Sequence, residues 1–255
     1  MTIQTALDEP EAERRPWSPK IITVASYKGG VGKTTIAYEL ANLLSAPLVD
    51  LDWDGGNATR QWGYRHEDRY RAPLLDALER GRTPMPLRGT RKPDLIPCHP
   101  DLAHAQPTPE QMAAALERWA NDWRSDYVVV DTHPGGVPTT AGAMAVASVV
   151  VTPVYLETKP LEALKEMLAE LADYPILVVP NRVPGSPPAA ETEKLARMTT
   201  AANVRVGPPI SEHRWVARRK IRVALTSYGE DEPQRIKPIA NELRQLAGAV
   251  YSYVS

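Results

Sequence analysis

Ten residues, SYKGGVGKTT from Ser26 to Thr35, set two lysines five positions apart around a run of glycines. Glycines let a backbone curl until its N–H groups point inward, and such a curl ahead of a helix cradles phosphate. In that geometry Gly29, Gly30, Val31 and Gly32 supply the cradle. Lys33 would reach the β- and γ-phosphates, the Thr34 hydroxyl would ligate Mg²⁺, and Thr35 would donate to the α-phosphate. The strict spacing G-x-x-x-x-G-K-[ST] fails, because Tyr27 stands at its first glycine. The dinucleotide pattern G-x-G-x-x-G fails as well, because Thr35 stands at its last. Lys28 is left over, a second cation at the front of a loop that already has one.

Carboxylates at the ends of apolar runs are the natural complement. VDLD (49–52) carries Asp50 and Asp52, which point to the same side of a strand because strand side chains alternate. SDYVVVD (125–131) ends on Asp131. An acid at the C-terminal end of a parallel strand lies beside the ligand crevice, and would hold Mg²⁺ through water. LVVPNRVPG (177–185) brings Asn181 to another strand end, where its amide offers both a donor and an acceptor. His99 beside Cys98 has no partners at metal-ligand spacing and reads as structural.

These groups need strands to carry them. Short β-branched runs at 21–26, 47–52, 94–97, 127–131, 148–154 and 176–181 are apolar on both faces, as a sheet covered on both sides requires. Helical patterns alternate with them: one from Gly32 with Ile36, Leu40, Leu43 and Leu44 on a stripe, one from Thr108 to Trp123, others at 73–80, 160–172 and 188–199, and a last one at 233–250. The fold expected is α/β, a mostly parallel twisted sheet with helices on both faces. Residues 20–255 read as one domain behind a flexible leader, 1–19.

Composition limits the function classes. A single cysteine, Cys98, excludes an internal disulfide and a four-cysteine metal site within the chain, and suits a reducing cytoplasm. No apolar run approaches the ~20 residues of a membrane span, and the N-terminus has no apolar core of the kind a secretory signal needs. The formal charge of −1 decides nothing about partners, since opposite patches cancel.

KGGVGKTT resembles the deviant Walker A box of the ParA/MinD ATPases. The resemblance implies a P-loop ATPase that uses ATP and Mg²⁺ and closes as a homodimer around two ATPs. Lys28 would cross the interface to the partner's phosphates; the plain alternative is a surface lysine. Asp52 would position the attacking water, Asp50 would sit nearer the Mg²⁺ water shell, Asp131 matches a Walker B acid, and Asn181 would bond adenine or else be a turn residue. The loop 207–211 would pack over the base. The family commonly reads D-x-D-P-Q-G-N where this chain has Trp53, Asp54 and an extra glycine, which leaves Asn57 without an assigned role and makes Asp54 a solvated turn residue. It often reads D-x-P-P where His133 stands. With Asp52 on the water, His133 reads as a loop residue rather than a general base.

Six Lys/Arg and one acid fall within 205–222, and on a helix Arg214, Arg218 and Arg222 would form a stripe, joined by Arg219 and Lys220. Trp215 and Val216 would anchor it. By resemblance this is a surface for double-stranded DNA without sequence preference, with 60–92 a weaker candidate. The leading expectation is a cytoplasmic, nucleoid-associated partition ATPase released from DNA by a ParB-like partner, with no membrane. The alternatives are a MinD-like membrane switch and a metabolic enzyme on the same scaffold. The tail LAGAVYSYVS has no Lys or Arg after Arg244, unlike a basic membrane-surface helix.

Overall fold

The computed structural model describes residues 18–54, 57–65, 72–220 and 222–255. Most of the expected leader, the glycines of the loop after Asp54, and part of the 60–92 segment lie outside the described residues.

Seven strands form one sheet in the order β3-β2-β4-β1-β5-β6-β7, every neighbouring pair parallel. They are β1 (Lys20–Val24), β2 (Leu48–Asp50), β3 (Leu95–Ile96), β4 (Tyr127–Asp131), β5 (Val149–Val154), β6 (Ile176–Pro180) and β7 (Arg205–Val206). The helices are α1 (Lys33–Leu43), α2 (Ala58–Trp62), α3 (Pro73–Glu79), α4 (Pro109–Trp123), α5 (Pro138–Ala145), α6 (Thr158–Glu170), α7 (Ala189–Ala201) and α8 (Lys237–Val254).

Period-2 alternation sorts the strand residues between two cores. Ile22, Val24, Val129, Val151 and Val179 meet α1 and α8 on one face. On the other, Ile21, Val128 and Val130 meet α3, α4 and α5, while Val150 and Val178 meet α6 and α7. Full burial of Met112 and Leu116 on α4 stabilises the fold by roughly 1.5–3 kcal/mol each. That helix starts on a reciprocal capping box between Thr108 and Gln111. α8 turns Ile239, Leu243, Leu246 and Val250 into the core, as the apolar stripe of the last segment predicts.

Three elements were not expected from the pattern, each for a physical reason. β7 is two exposed residues at the sheet edge, with no apolar run to mark it. α2 is a five-residue helix. α5, PTTAGAMA, is built of small residues without an amphipathic stripe, because it packs closely on α4: a Cβ on Gly142 would stand 2.4 Å from the Pro109 carbonyl oxygen.

The helical stripe expected in 205–222 is not there. Its described residues run irregularly apart from β7 and one 3₁₀ turn, Val216–Arg218, so Arg214, Arg218 and Arg222 do not share a helix face. Trp215 and Val216 do pack against the α1–α8 core.

Candidate nucleotide site

Register brings the chemistry together. Asp131 pairs with Val24 on one side and Asp50 on the other, so β1 delivers the glycine loop, and β2 and β4 deliver acids, to one edge of the sheet. The loop then enters α1 through Gly30 and Gly32, both at positive φ (78° and 96°). Gly32 has a second constraint. A Cβ there would lie 2.3 Å from Asn181 Nδ2, so only glycine lets the loop and β6 approach this closely.

The two lysines of the loop face opposite environments. Lys33 is buried, and burial lowers its pKa against the charges of Asp131, Asp52 and Asp54. Lys28 is exposed on the outer side of the loop.

The three acids also divide. Asp50 is fully buried, accepting from the Thr59 amide (2.7 Å), the Thr59 hydroxyl (2.6 Å) and the Asp52 amide (3.0 Å). Burial, reinforced by Asp131, holds its pKa well above the ordinary value. Its carboxylate fastens α2 to the end of β2. Asp131 is the opposite case, with both oxygens buried and without a hydrogen bond of normal geometry. Burial pushes its pKa up to about 7, opposed chiefly by Lys33 and by the nearby Thr34 hydroxyl. A buried carboxylate satisfied this poorly is costly, and a bound cation would offset that cost alongside Lys33. Oxygen donors from Asp131 and Thr34 at the mouth of a phosphate loop fit Mg²⁺ with its waters retained.

Asp52 lies at the crevice. Its Oδ1 accepts from the Asp54 amide at 3.1 Å and meets His133 Nδ1 at 3.1 Å, while its carbonyl accepts from the Asn57 amide group. Asn57 also caps α2 by accepting from the Arg60 amide. His133, expected as a loop residue, therefore stands against Asp52. No motif could have placed it there, since Asp52 and His133 are 81 residues apart.

A cleft of about 760 Å³ opens along α1 toward the base end, within the size range of small-ligand sites. Gly32, Thr35, Asn181, Ile210 and Ser211 line it, which sets the 207–211 loop at the expected wall. The Asn181 amide donates to the Val31 carbonyl at 2.8 Å and accepts from the Arg182 amide at 2.9 Å. One N–H and one lone pair remain for a base. The basic segment forms the roof: Arg214, Arg219, Lys220 and Arg222 line the same cleft.

Glu39, a residue sequence reasoning missed, ties that roof to α1. Its buried carboxylate accepts from the Leu225 amide (2.7 Å), the Thr226 amide (3.1 Å) and the Thr226 hydroxyl (2.9 Å). Burial still holds its pKa above the ordinary value. Tyr38 donates to the Arg222 carbonyl at 2.8 Å. The signal available was an acid three residues after Ile36, inside the apolar stripe of a helix. In the weaker basic candidate, Lys92 lies 3.5 Å over the Trp62 ring and Arg91 4.3 Å over the Tyr228 ring. His99 caps a 3₁₀ turn, as a structural histidine does.

A family model described as an AAA domain matches residues 19–174. The chain is 38% identical over 161 residues to the chromosome-partitioning ATPase Soj of Thermus thermophilus, covering 60% of this chain and 61% of that protein. It thus spans about three fifths of the length of the curated relatives it matches. Its fold is similar to that of a Cyanothece McdA variant in complex with ATP, with a TM-score of 0.70 at 23% identity over 89% of this chain and 96% of that one. The MinD cell division protein of Aquifex aeolicus is similar at a TM-score of 0.67 and 20% identity, over 91% and 97% of the two chains.

Proposed function

The chain belongs to the ParA/MinD family through its AAA domain, and on that premise we propose that it is an ATP-hydrolysing partition switch. One observation carries the reading: two lysines of a single phosphate loop, one buried against carboxylates and one facing solvent. A loop serving only its own nucleotide has use for the first and none for the second. A loop that also completes a second copy's site needs both.

On this reading Lys33 and the amides of Gly29, Gly30, Val31 and Gly32 hold the phosphates, with Thr35 at the α-phosphate. Thr34 and, through water, Asp131 would hold Mg²⁺, which would supply neutralisation of phosphate charge. Asp52 orients the attacking water. Lys28 stabilises the charge that develops on the partner's terminal phosphate, as an arginine finger does. Asn181 meets the adenine with its remaining donor and acceptor.

The ATP-bound homodimer binds duplex DNA through phosphate contacts from Arg214, Arg218, Arg219, Lys220 and Arg222. All but Arg219 are exposed, which supports that assignment without a helical stripe. A ParB-like partner stimulates hydrolysis and releases the dimer from the nucleoid. Soj is named a chromosome-partitioning ATPase, which favours partition over a metabolic role. A membrane switch is the weaker reading, because α8 buries its apolar stripe in the core and no helix among the described residues is long and apolar enough to cross a membrane.

Gel filtration with Mg-ATP tests this reading. Asp52→Ala is expected to elute as a persistent dimer and the wild type to return to monomer as ATP is consumed. Monomer elution of both proteins under every condition contradicts it.

A further inference from the structure

Resting on the hydrolytic reading, we propose that His133 is a positioning residue for Asp52, its Nδ1–H fixing Oδ1 so that Oδ2 faces the attacking water. A carboxylate that aims a water must be locked about its terminal torsion, which is broad and soft on its own. Here both fixing donors fall on one oxygen: His133 Nδ1 at 3.1 Å and the Asp54 amide at 3.1 Å. Among the described residues no hydrogen bond reaches Oδ2, and the Asp52 side chain is 12% exposed.

His133 is itself held. Its ring stacks on Trp53 with centroids 3.9 Å apart and planes 11° apart. Its carbonyl accepts from the Thr140 hydroxyl at 3.0 Å. Two residues on, the Gly135 amide donates to the Ser26 carbonyl at the start of the glycine loop. The imidazole thus ties the β4 loop to the β2 loop at Asp52 Oδ1, and the Gly135 amide ties the β4 loop to the start of the phosphate loop. Trp53 and His133 are also two of the departures from the family pattern, so the chain changed both partners of one stack.

Asparagine and glutamine separate a positioning role from a merely structural one. His133→Asn places an amide N–H where Nδ1 was, and His133→Gln places it where Nε2 was. The measurement is steady-state ATP turnover with Mg²⁺, alongside equilibrium binding of a fluorescent ATP analogue and a thermal melt. His133→Ala and His133→Gln are expected to lower kcat by about 10-fold to 100-fold, the scale of a misplaced reacting group, with KM for ATP nearly unchanged. His133→Asn is expected to recover most of the rate. Equal rates for Asn and Gln, an unaltered kcat in the Ala variant, or a change confined to KM overturns the proposal. If the Ala variant does not fold, the Asn–Gln pair decides alone. A wild type that binds the analogue yet never turns over ATP overturns the hydrolytic reading itself, an outcome distinct from active variants that fail to differ.

Discussion

The phosphate end and the base end of the cleft are built in opposite ways. At the phosphate end one contiguous strand, loop and helix supplies most of the ligand groups, and each does a job its local sequence announces. At the base end the roof is an irregular basic segment, fastened to the helix by Glu39 through contacts 186 and 187 residues apart. The first region is rigid because backbone geometry demands it: Gly30 and Gly32 at positive φ, and Lys33 sealed beneath the loop. The second is held by scattered tertiary contacts: the hydrogen bonds collected by the buried Glu39 carboxylate, those from Tyr38 and Asn42, and the packing of Trp215 and Val216. A substitution at the phosphate end should therefore change chemistry, and one at the roof should change attachment and stability.

The largest effects are expected at the phosphate end. Lys28→Ala should bind nucleotide normally yet lose turnover by about 10³-fold, the lower range for a charge supplied to a transferring phosphoryl group. Single-turnover kinetics checks this, and an unchanged rate removes Lys28 from the mechanism. At the roof, Glu39→Ala leaves the Leu225 and Thr226 amides without their acceptor. It should cost about 1–3 kcal/mol for each donor left buried, seen as a lower melting temperature. A melt indistinguishable from wild type would mean that the roof is attached some other way.

A pH test sharpens the electrostatic side. Asp131 has its pKa raised from 3.8 to about 7 in the folded chain, so between those values the native state binds the extra proton. Its contribution to stability is fully present below the ordinary carboxylate range and is lost as pH rises through about 7. Compared with Asp131→Asn, wild-type protein without nucleotide should lose stability across that window, while its Mg-nucleotide affinity should rise. Parallel curves for the two proteins contradict the assignment. The smallest effect concerns DNA. Arg218→Ala should weaken retention uniformly across sequences and reduce the salt dependence by about one phosphate contact per subunit, a slope change near 0.9 for each subunit of the dimer. No change in slope would move the surface away from this turn.

The same contrast explains what the sequence could tell. Six of the seven strands, and α1, α3, α4, α6, α7 and α8, were legible because burial on both sheet faces or on one helix face writes a period into the residues. Lys33, Thr34 and Asp131 were legible because a phosphate loop and a strand-end acid are local patterns. For Asp50 alternation gives its side and not its partners: Thr59 meets Oδ2 and the Asp52 amide meets Oδ1. The contact of His133 with Asp52 was not legible because the two are 81 residues apart in the chain. The helical reading of 205–222 failed because charge spacing mimics a helix face, whereas a helix also needs an apolar stripe to hold it: among the described residues Ile210, Trp215 and Val216 pack inward, without the spacing of a helical stripe.

The central claim, that each chain completes its neighbour's site, is tested most directly by mixing two inactive variants. Lys28→Ala keeps its own Asp52, and Asp52→Ala keeps the Lys28 it would lend. In an equal mixture half of the dimers are mixed and each has one complete site, so ATP turnover should return to about a quarter of the wild-type rate. If the mixture is as inactive as its components while both variants bind nucleotide, Lys28 does not act across the interface.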